Sequence, residues 1–331
     1  MSAIIPHPRT AFDLIGGVAV DGSFIDSLQR DRLHHAWLLV GPNGVGKATF
    51  AYRVARRLLG AAADPGHGFL GSVEDDPVSR QVIARSHPDL LVLQRDTEDG
   101  KPRRGIPVDE ARMLPDFFNK SPAIAPYRVA IVDAADDLNA NAANAVLKTL
   151  EEPPERGVLL LVSHSPGALL PTIRSRCRRL KFDAPPIEAA RNWLAQRAGV
   201  SESDAENLLI MARGAPGRAW RLAENGALDL DEQVKTLLSR LPSTDEAWIS
   251  NLQDSFRPPN GAERFNLFFN ILADNIHQRV RDRAVAGNHS VAASWAETWE
   301  YLVSIPGMVE AVNLDRSDAL LTALGRLRAI A

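Results

Sequence analysis

A glycine-rich loop followed by lysine places the strongest constraint on how this chain can fold. Gly41, Gly46 and Lys47 form the pattern Gly-x-x-x-x-Gly-Lys. Residues 36–40, before the loop, are continuously apolar, as in a strand buried on both faces, and residues 47–59 after it have a helical pattern. In this context, backbone N–H groups cradle phosphate and the lysine reaches the β- and γ-phosphates. The sequence therefore predicts a P-loop domain.

Strand-like and helical patterns alternate over the first half of the chain. Apolar runs predict strands at residues 36–40, 89–94, 127–135, 157–165 and, at an edge of the sheet, 176–182. Helical patterns cover residues 47–59, 108–119 and 138–151. Such alternation is typical of a mainly parallel sheet covered by helices, so the predicted fold class is α/β.

Changes of pattern near residues 183 and 242 divide the chain into three predicted domains. Residues 1–183 form the α/β P-loop domain, within which the polar residues 61–86 and 95–107 are predicted as surface excursions. Residues 184–242 contain helices ended by glycines, and residues 243–331 are helical throughout. An apolar stripe in the last domain is predicted to form core or a subunit interface: Phe265, Phe268, Phe269, Leu272, Ile276 and Val280.

Composition excludes several classes of protein. The chain has 331 residues, of which 45% are apolar and 24% charged, as in soluble globular proteins. A net charge of −3 argues against a strongly basic nucleic-acid binder, and a single cysteine, Cys177, excludes a disulfide framework. We find no apolar run long enough for a membrane span and no signal-peptide pattern, so a cytoplasmic protein without a membrane partner is expected.

Two positions in the predicted phosphate site lack the groups that hydrolysis requires. Ala48 stands where a Ser or Thr hydroxyl normally binds Mg²⁺, and Thr49 points about 100° further around the helix. Asp133 ends a later strand at the position expected to face the metal, but Ala134 follows it where hydrolysing relatives commonly have a glutamate. ATP hydrolysis by this chain is therefore predicted to be absent.

Retention of nucleotide without turnover remains open. Candidate binding residues of a vestigial or weak nucleotide site are Gly41, Gly44, Gly46, Lys47, Thr49 and Asp133. Weakly bound ATP or ADP is the only ligand expected, no cofactor is required, and no metal site is predicted.

Four segments of the chain resemble the delta-prime family of bacterial DNA polymerase III clamp-loader subunits. They are residues 33–59, 86–93, 139–155 with "LKTLEEPP", and 170–182 with "RSRC". The resemblance implies an AAA+ P-loop domain, a helical lid and a helical collar that assembles a ring. It also implies gamma/tau and delta subunits as partners, together with the sliding clamp and primer–template DNA.

The same resemblance implies a role for Arg176. In such rings the Ser-Arg-Cys motif supplies an arginine finger to the nucleotide of the adjacent subunit, and Arg176 occupies that position. A guanidinium is permanently charged and can donate to two phosphate oxygens at once. The alternative interpretation is that Arg176 simply belongs to a basic edge segment.

Departures from the family pattern sharpen the prediction. Many relatives carry four zinc-binding cysteines after the first helix, but residues 60–90 contain none, so no zinc is expected. Gly217 stands at the lid position where active gamma/tau subunits have a sensor arginine, with Arg218 one residue later. These features favour delta-prime over gamma/tau.

Two rival functions stay open from the sequence. One is a catalytically active AAA+ ATPase such as a gamma/tau-like motor, and the other is a nucleotide-binding regulatory module outside replication. Arg53, Arg56 and Arg57 fit either contact with a DNA backbone or an ordinary solvated helix face. For Cys177, a packed structural role is favoured over a reactive thiolate.

Overall fold

The chain folds into two compact units, Met1–Trp220 and Arg221–Ala331. This computed structural model describes residues 7–16, 18–30, 32–95, 97–98, 101–103, 105–241, 246–257, 261–287 and 289–330. The predicted domain boundary at residue 183 lies within the first unit, and the one at residue 242 lies outside the described residues. Both boundaries stay predictions.

The first unit is built on a five-stranded parallel sheet. In chain order, the strands of this unit are β1 (Ala36–Val40), β2 (Leu90–Gln94), β3 (Thr97–Glu98), β4 (Lys101–Pro102), β5 (Arg128–Asp133), β6 (Gly157–Ser163) and β7 (Arg178–Lys181). The sheet order is β2-β5-β6-β1-β7, while β3 and β4 form a separate antiparallel pair. The predicted α/β class with a parallel sheet is confirmed, as is the edge position of the strand after residue 176.

Helices occur between the strands, and the described residues after β7 are mainly helical. Those up to the end of the sheet are α1 (Val18–Gln29), α2 (Lys47–Leu58), α3 (Pro77–Ala84), α4 (Val108–Ala111), α5 (Met113–Phe118), α6 (Ala140–Glu151) and α7 (Pro171–Arg176). They are followed by α8 (Ile187–Ala198), α9 (Glu202–Met211), α10 (Pro216–Glu224), α11 (Ala227–Ser239), α12 (Glu246–Asp254), α13 (Gly261–Val285), α14 (His289–Val312) and α15 (Arg316–Ile330).

Local chemistry explains where several helices begin and end. The pattern predicted as one helix at residues 108–119 is two short helices, because Pro115 has no N–H to donate to the carbonyl of Ala111. Helix α6 begins after Asn139, whose side-chain oxygen accepts a hydrogen bond from the Ala142 N–H. The strand predicted at residues 176–182 is shorter, since α7 begins at Pro171 and extends through Arg176.

The alternation of side chains along β1 divides the core of the first unit into two layers. Trp37 and Leu39 face one layer with Phe50 of α2, whereas Leu38 and Val40 face the other with Val146 of α6. The side chains of β1 are at most 5% exposed. Full burial of one such large apolar side chain contributes about 1.5–3 kcal/mol. The packing of α2 and α6 on the two faces of β1 therefore holds in place the end of the strand from which the glycine loop departs.

Two arginines of α2 are buried, which corrects the interpretation of this helix as a solvated or DNA-facing surface. Arg53 is 4% exposed and Arg56 is fully buried. The Arg56 guanidinium donates to the carbonyls of Arg9 and Ala11 and lies 4.1 Å from the centre of the Phe12 ring. Burial lowers the pKa of Arg56 to about 10. The two side chains therefore attach the N-terminal segment to the sheet domain.

Residues 61–86 are more than a surface excursion. This segment contains α3, and its Leu70 and Val82 belong to the same core layer as Phe50. The polar stretch at residues 95–107 lies partly outside the described residues.

The second unit is helical, and its centre is the apolar stripe on α13. Phe265, Phe268, Phe269, Leu272 and Ile276 are buried, and α13 packs against α11 and α14. These five residues are thus core, one of the two predicted roles, whereas Val280, the sixth member of the predicted stripe, is half-buried. In the described part of the chain, no helix has both the length and the apolar character that a membrane span requires.

Candidate functional site

The glycine loop connects the end of β1 to the start of α2. Gly44 and Gly46 have φ angles of +87° and +97°, which side-chain-bearing residues avoid. Gly46 directly precedes α2, so the first backbone N–H groups of that helix point towards the loop. The backbone therefore has the course expected of a phosphate-binding loop.

The lysine of this loop is bound to the loop itself. Lys47 is only 3% exposed, and its Nζ donates to the carbonyl oxygens of Gly41 at 2.5 Å and Pro42 at 2.6 Å. Burial lowers the pKa of Lys47 to about 8, although Asp133 and Asp136 act to raise it. The loop thus uses two of the three hydrogens that the ammonium can donate, so at most one is left for a phosphate unless these bonds break.

The start of α10 covers the loop. The Gly217 N–H donates to the Gly44 carbonyl at 2.9 Å, and a Cβ on Gly44 would overlap the backbone of Arg218. On the other side, a Cβ on Gly46 would overlap the side chain of Leu14. From the sequence, Gly217 is identified only as the residue that stands at the position of a sensor arginine. Its glycine character is the signal that could have predicted this close backbone contact.

The predicted acidic residue lies close enough to the lysine for their charges to interact. Asp133 ends β5, and burial raises its pKa to about 6, with Lys47 lowering it and Asp137 raising it further. The charges of Lys47 and Asp133 thus interact, and the structure brings these two predicted residues together. The residue that follows each of them is an alanine. Ala134 is buried, and Ala48 packs against the core layer of Phe50.

Two further observations concern metal binding. Thr49 is half-buried within α2, one residue past the position that would bind Mg²⁺. Across the described ranges of the chain, no three His, Cys, Asp or Glu side chains are grouped so that they could hold a metal ion.

Asp136 organises this end of the sheet, a role that sequence reasoning missed. Its carboxylate accepts hydrogen bonds from the Ser163 hydroxyl at 3.0 Å and from the backbone N–H groups of His164 and Ser165. These bonds join the turn after β5 to the end of β6. The signal in the sequence was Asp136, an acidic residue just after β5, together with Ser163 at the end of β6.

Arg176 is the last residue of α7 and is partly exposed. Its Nη2 forms an ion pair with Oε1 of Glu151 at 3.1 Å, and its Nη1 donates to the carbonyl of Thr172 at 3.2 Å. The side chains of Arg176 and Glu151 are 38% and 55% exposed. The guanidinium is therefore accessible to a second molecule.

Strand register separates Arg176 from the glycine loop. Arg178, at the start of β7, is level with Trp37, whereas the loop begins after Val40 at the far end of β1. Those residues of β1 span about 10 Å, and Arg176 precedes the start of β7. Because the two strands are parallel, the arginine and the loop lie at opposite ends of the sheet. The structure does not bring Arg176 together with Lys47 and Asp133.

The rest of the basic segment is partly used for packing. Arg178 donates to the Ser27 hydroxyl at 2.8 Å and lies over the Trp37 ring. Burial raises the pKa of Cys177 to about 12, so its thiol stays protonated at neutral pH. A buried, protonated thiol favours the structural interpretation of Cys177.

Comparison with known proteins identifies the family. A family model described as "DNA polymerase III, delta subunit" matches residues 19–186, just over half of the chain. The DNA polymerase III subunit delta' of Pseudomonas aeruginosa is 38% identical over 238 residues, covering 71% of this chain and 66% of that protein. The subunit gamma/tau of Mycobacterium tuberculosis is 29% identical over 330 residues, covering 97% of this chain and 54% of that protein.

The chain thus spans just under two thirds of the delta' relative and about half of the gamma/tau relative. Among solved structures, a DNA polymerase III gamma subunit-related protein from Thermotoga maritima is 19% identical, with a TM-score of 0.43. That alignment covers 92% of this chain and 99% of the other. On the strength of the family model and the delta' relative, the chain belongs to the delta-prime family of DNA polymerase III subunits.

Proposed function

We propose that this chain is a non-hydrolysing subunit of the DNA polymerase III clamp loader. In this proposal it assembles in the cytoplasm with gamma/tau and delta subunits, and the complex places the sliding clamp on primer–template DNA. Its own P-loop is degenerate, and Arg176 acts as an arginine finger on nucleotide held by the neighbouring subunit. The chain requires no cofactor and binds ATP or ADP weakly at most.

The observation that carries the proposal is the contrast between the two ends of the sheet. At one end, Lys47 is bonded to its own loop, the Gly44 carbonyl is occupied by the start of α10, and Ala48 and Ala134 offer no metal or water ligand. At the other end, a partly exposed guanidinium lies too far from this loop to serve it. Such an arrangement suits a chain that assists phosphoryl transfer in a neighbour.

A gamma/tau-like motor is the second candidate, and one observation favours it. The gamma/tau relative aligns over 97% of this chain, more than the delta' relative does. The motor requires a hydroxyl after the loop lysine and a base after Asp133, and this sequence has alanine at both positions. We therefore place it second.

ATP hydrolysis by the purified chain distinguishes the two candidates. We expect negligible turnover at any Mg²⁺ concentration, and no difference between the wild type and Lys47→Ala in a phosphate-release assay. Steady turnover that Lys47→Ala abolishes would establish the motor instead.

Arg176→Ala tests the finger in a complex reconstituted with gamma/tau and delta. Hydrolysis at the site that Arg176 serves should fall by about 10³-fold, the lower end for arginine fingers, so total clamp- and DNA-stimulated turnover falls by the share of that site. Arg174→Ala is the matched control, because Arg174 is an exposed arginine on the same helix. Gel filtration should show intact assembly for both, and equal rates for the two variants would remove Arg176 from this role.

A further inference from the structure

The ion pair between Arg176 and Glu151 links the ends of two helices. Glu151 is the last residue of α6 and Arg176 is the last residue of α7. We propose that Glu151 is a positioning residue, which holds the Arg176 guanidinium until the phosphates of the neighbouring subunit's nucleotide displace it. This inference rests on the proposed function of Arg176.

Geometry favours exchange of one partner for another. One nitrogen, Nη2, binds Glu151, while Nη1 is held by the Thr172 carbonyl of its own helix. The Thr172 contact can persist when Nη2 changes partner, so the side chain stays oriented during the exchange. A phosphate oxygen is the same kind of acceptor as a carboxylate oxygen and carries negative charge as well. The two anions therefore compete for the same nitrogen.

The position of Glu151 on its helix is unfavourable without such a partner. A carboxylate at a helix C-terminus lies near the negative end of the helix dipole, whereas an arginine at the end of α7 is favoured there. Glu152 directly follows Glu151 and is also exposed. Among the described residues, Arg176 forms its ion pair with Glu151 and none with Glu152. The neighbouring glutamate is therefore a matched control.

The strength of the pair sets the size of the effect. Both side chains are more than one third exposed, so the equilibrium constant for forming the pair, relative to a free guanidinium, is at most about five. A stronger pair would block the finger, while a pair of this strength delays its engagement. The delay matters where phosphate does not already saturate the guanidinium, because the carboxylate then still competes for Nη2.

The test uses the reconstituted complex with Glu151→Gln or Glu152→Gln in this chain. At subsaturating ATP and without DNA, Glu151→Gln should raise hydrolysis at the site that Arg176 serves about two- to fivefold over wild type, and the total rate should rise in proportion to the share of that site. The maximal rate with clamp and primed DNA should stay unchanged, because the finger is then already engaged. Glu152→Gln should match the wild type in both assays. The difference should shrink as salt rises, since exposed pairs are screened.

Combination with Arg176→Ala separates this inference from the proposed function. In an Arg176→Ala background, Glu151→Gln should have no effect on the rate. If Arg176→Ala lowers stimulated turnover but the two glutamine variants behave alike, Glu151 has no positioning role. An effect of Glu151→Gln that persists without Arg176 leads to the same conclusion. If Arg176→Ala itself changes nothing, the proposed function fails and this inference fails with it.

Discussion

The two ends of the parallel sheet differ in whether their charged side chains are buried or exposed. At the end that carries the glycine loop, Lys47 and Asp133 are mostly buried, and their pKa values move to about 8 and about 6. At the end that carries Arg176, the ion pair with Glu151 is open to solvent. Charge at the first end is thus integrated into the fold, whereas charge at the second is available to a partner. The difference teaches that burial and exposure of charge can be separated along the length of one sheet.

The largest expected effect on stability comes from Asp133 and tests whether the loop end is truly buried. Its pKa of about 6 in the folded chain exceeds the ordinary value of 3.8, because burial disfavours the charged form. Between these two pH values the folded state holds a proton that the unfolded state has released. Stability should therefore fall as pH rises from 4 to 6, by up to about 3 kcal/mol.

Asp133→Asn removes this dependence and provides the comparison. The free energy of unfolding, measured by urea denaturation across this pH range, should decline for the wild type relative to Asp133→Asn. Asp109→Asn, at an exposed position at the start of α4, controls for the loss of one negative charge. Parallel profiles for wild type and Asp133→Asn would mean that the loop end is solvated like the Arg176 end.

Gly44→Ala tests whether the start of α10 closes over the loop. Alanine is strained at φ +87°, and its Cβ would also overlap the Arg218 backbone. We expect a loss of about 2–3 kcal/mol in the free energy of unfolding.

Gly199→Ala isolates the backbone part of that loss. Gly199 has a φ of +66°, and a Cβ there would meet nothing within 4 Å. This variant should therefore lose only about 1–2 kcal/mol, the cost of the left-handed conformation alone. Equal losses for the two alanine variants in denaturant titrations would show that α10 does not close the loop.

The sequence predicts the sheet well because its strands are continuous apolar runs with few alternative placements. It also predicts that Lys47 and Asp133 belong to one site, since the glycine loop follows β1 and Asp133 ends β5 at the same end of the parallel sheet. Burial of Arg53 and Arg56 could not be predicted, because charged side chains are usually exposed and the carbonyls that receive Arg56 lie more than 40 residues away along the chain.

The helical setting of Arg176 shows a different limit of prediction from sequence. The alternating residues 176–182 favour a strand, whereas Pro171 starts a helix that ends at Arg176. This one element places the guanidinium next to Glu151, at the end of α6. A contact between two helix ends depends on how the helices pack, so no pattern within either segment indicates it.

The smallest expected effect is on the stability of the Arg176 end. Because both members of the Arg176–Glu151 pair are more than one third exposed, Glu151→Gln should change the free energy of unfolding by less than about 0.5–1 kcal/mol. Urea denaturation of the isolated chain measures this change, with Glu152→Gln as the control. A loss comparable with that of Gly44→Ala would mean that the pair is part of the fold and that Arg176 is not free to change partners. A small change would sharpen the contrast between the two ends, since substitution at the loop end then costs stability and substitution at the Arg176 end does not.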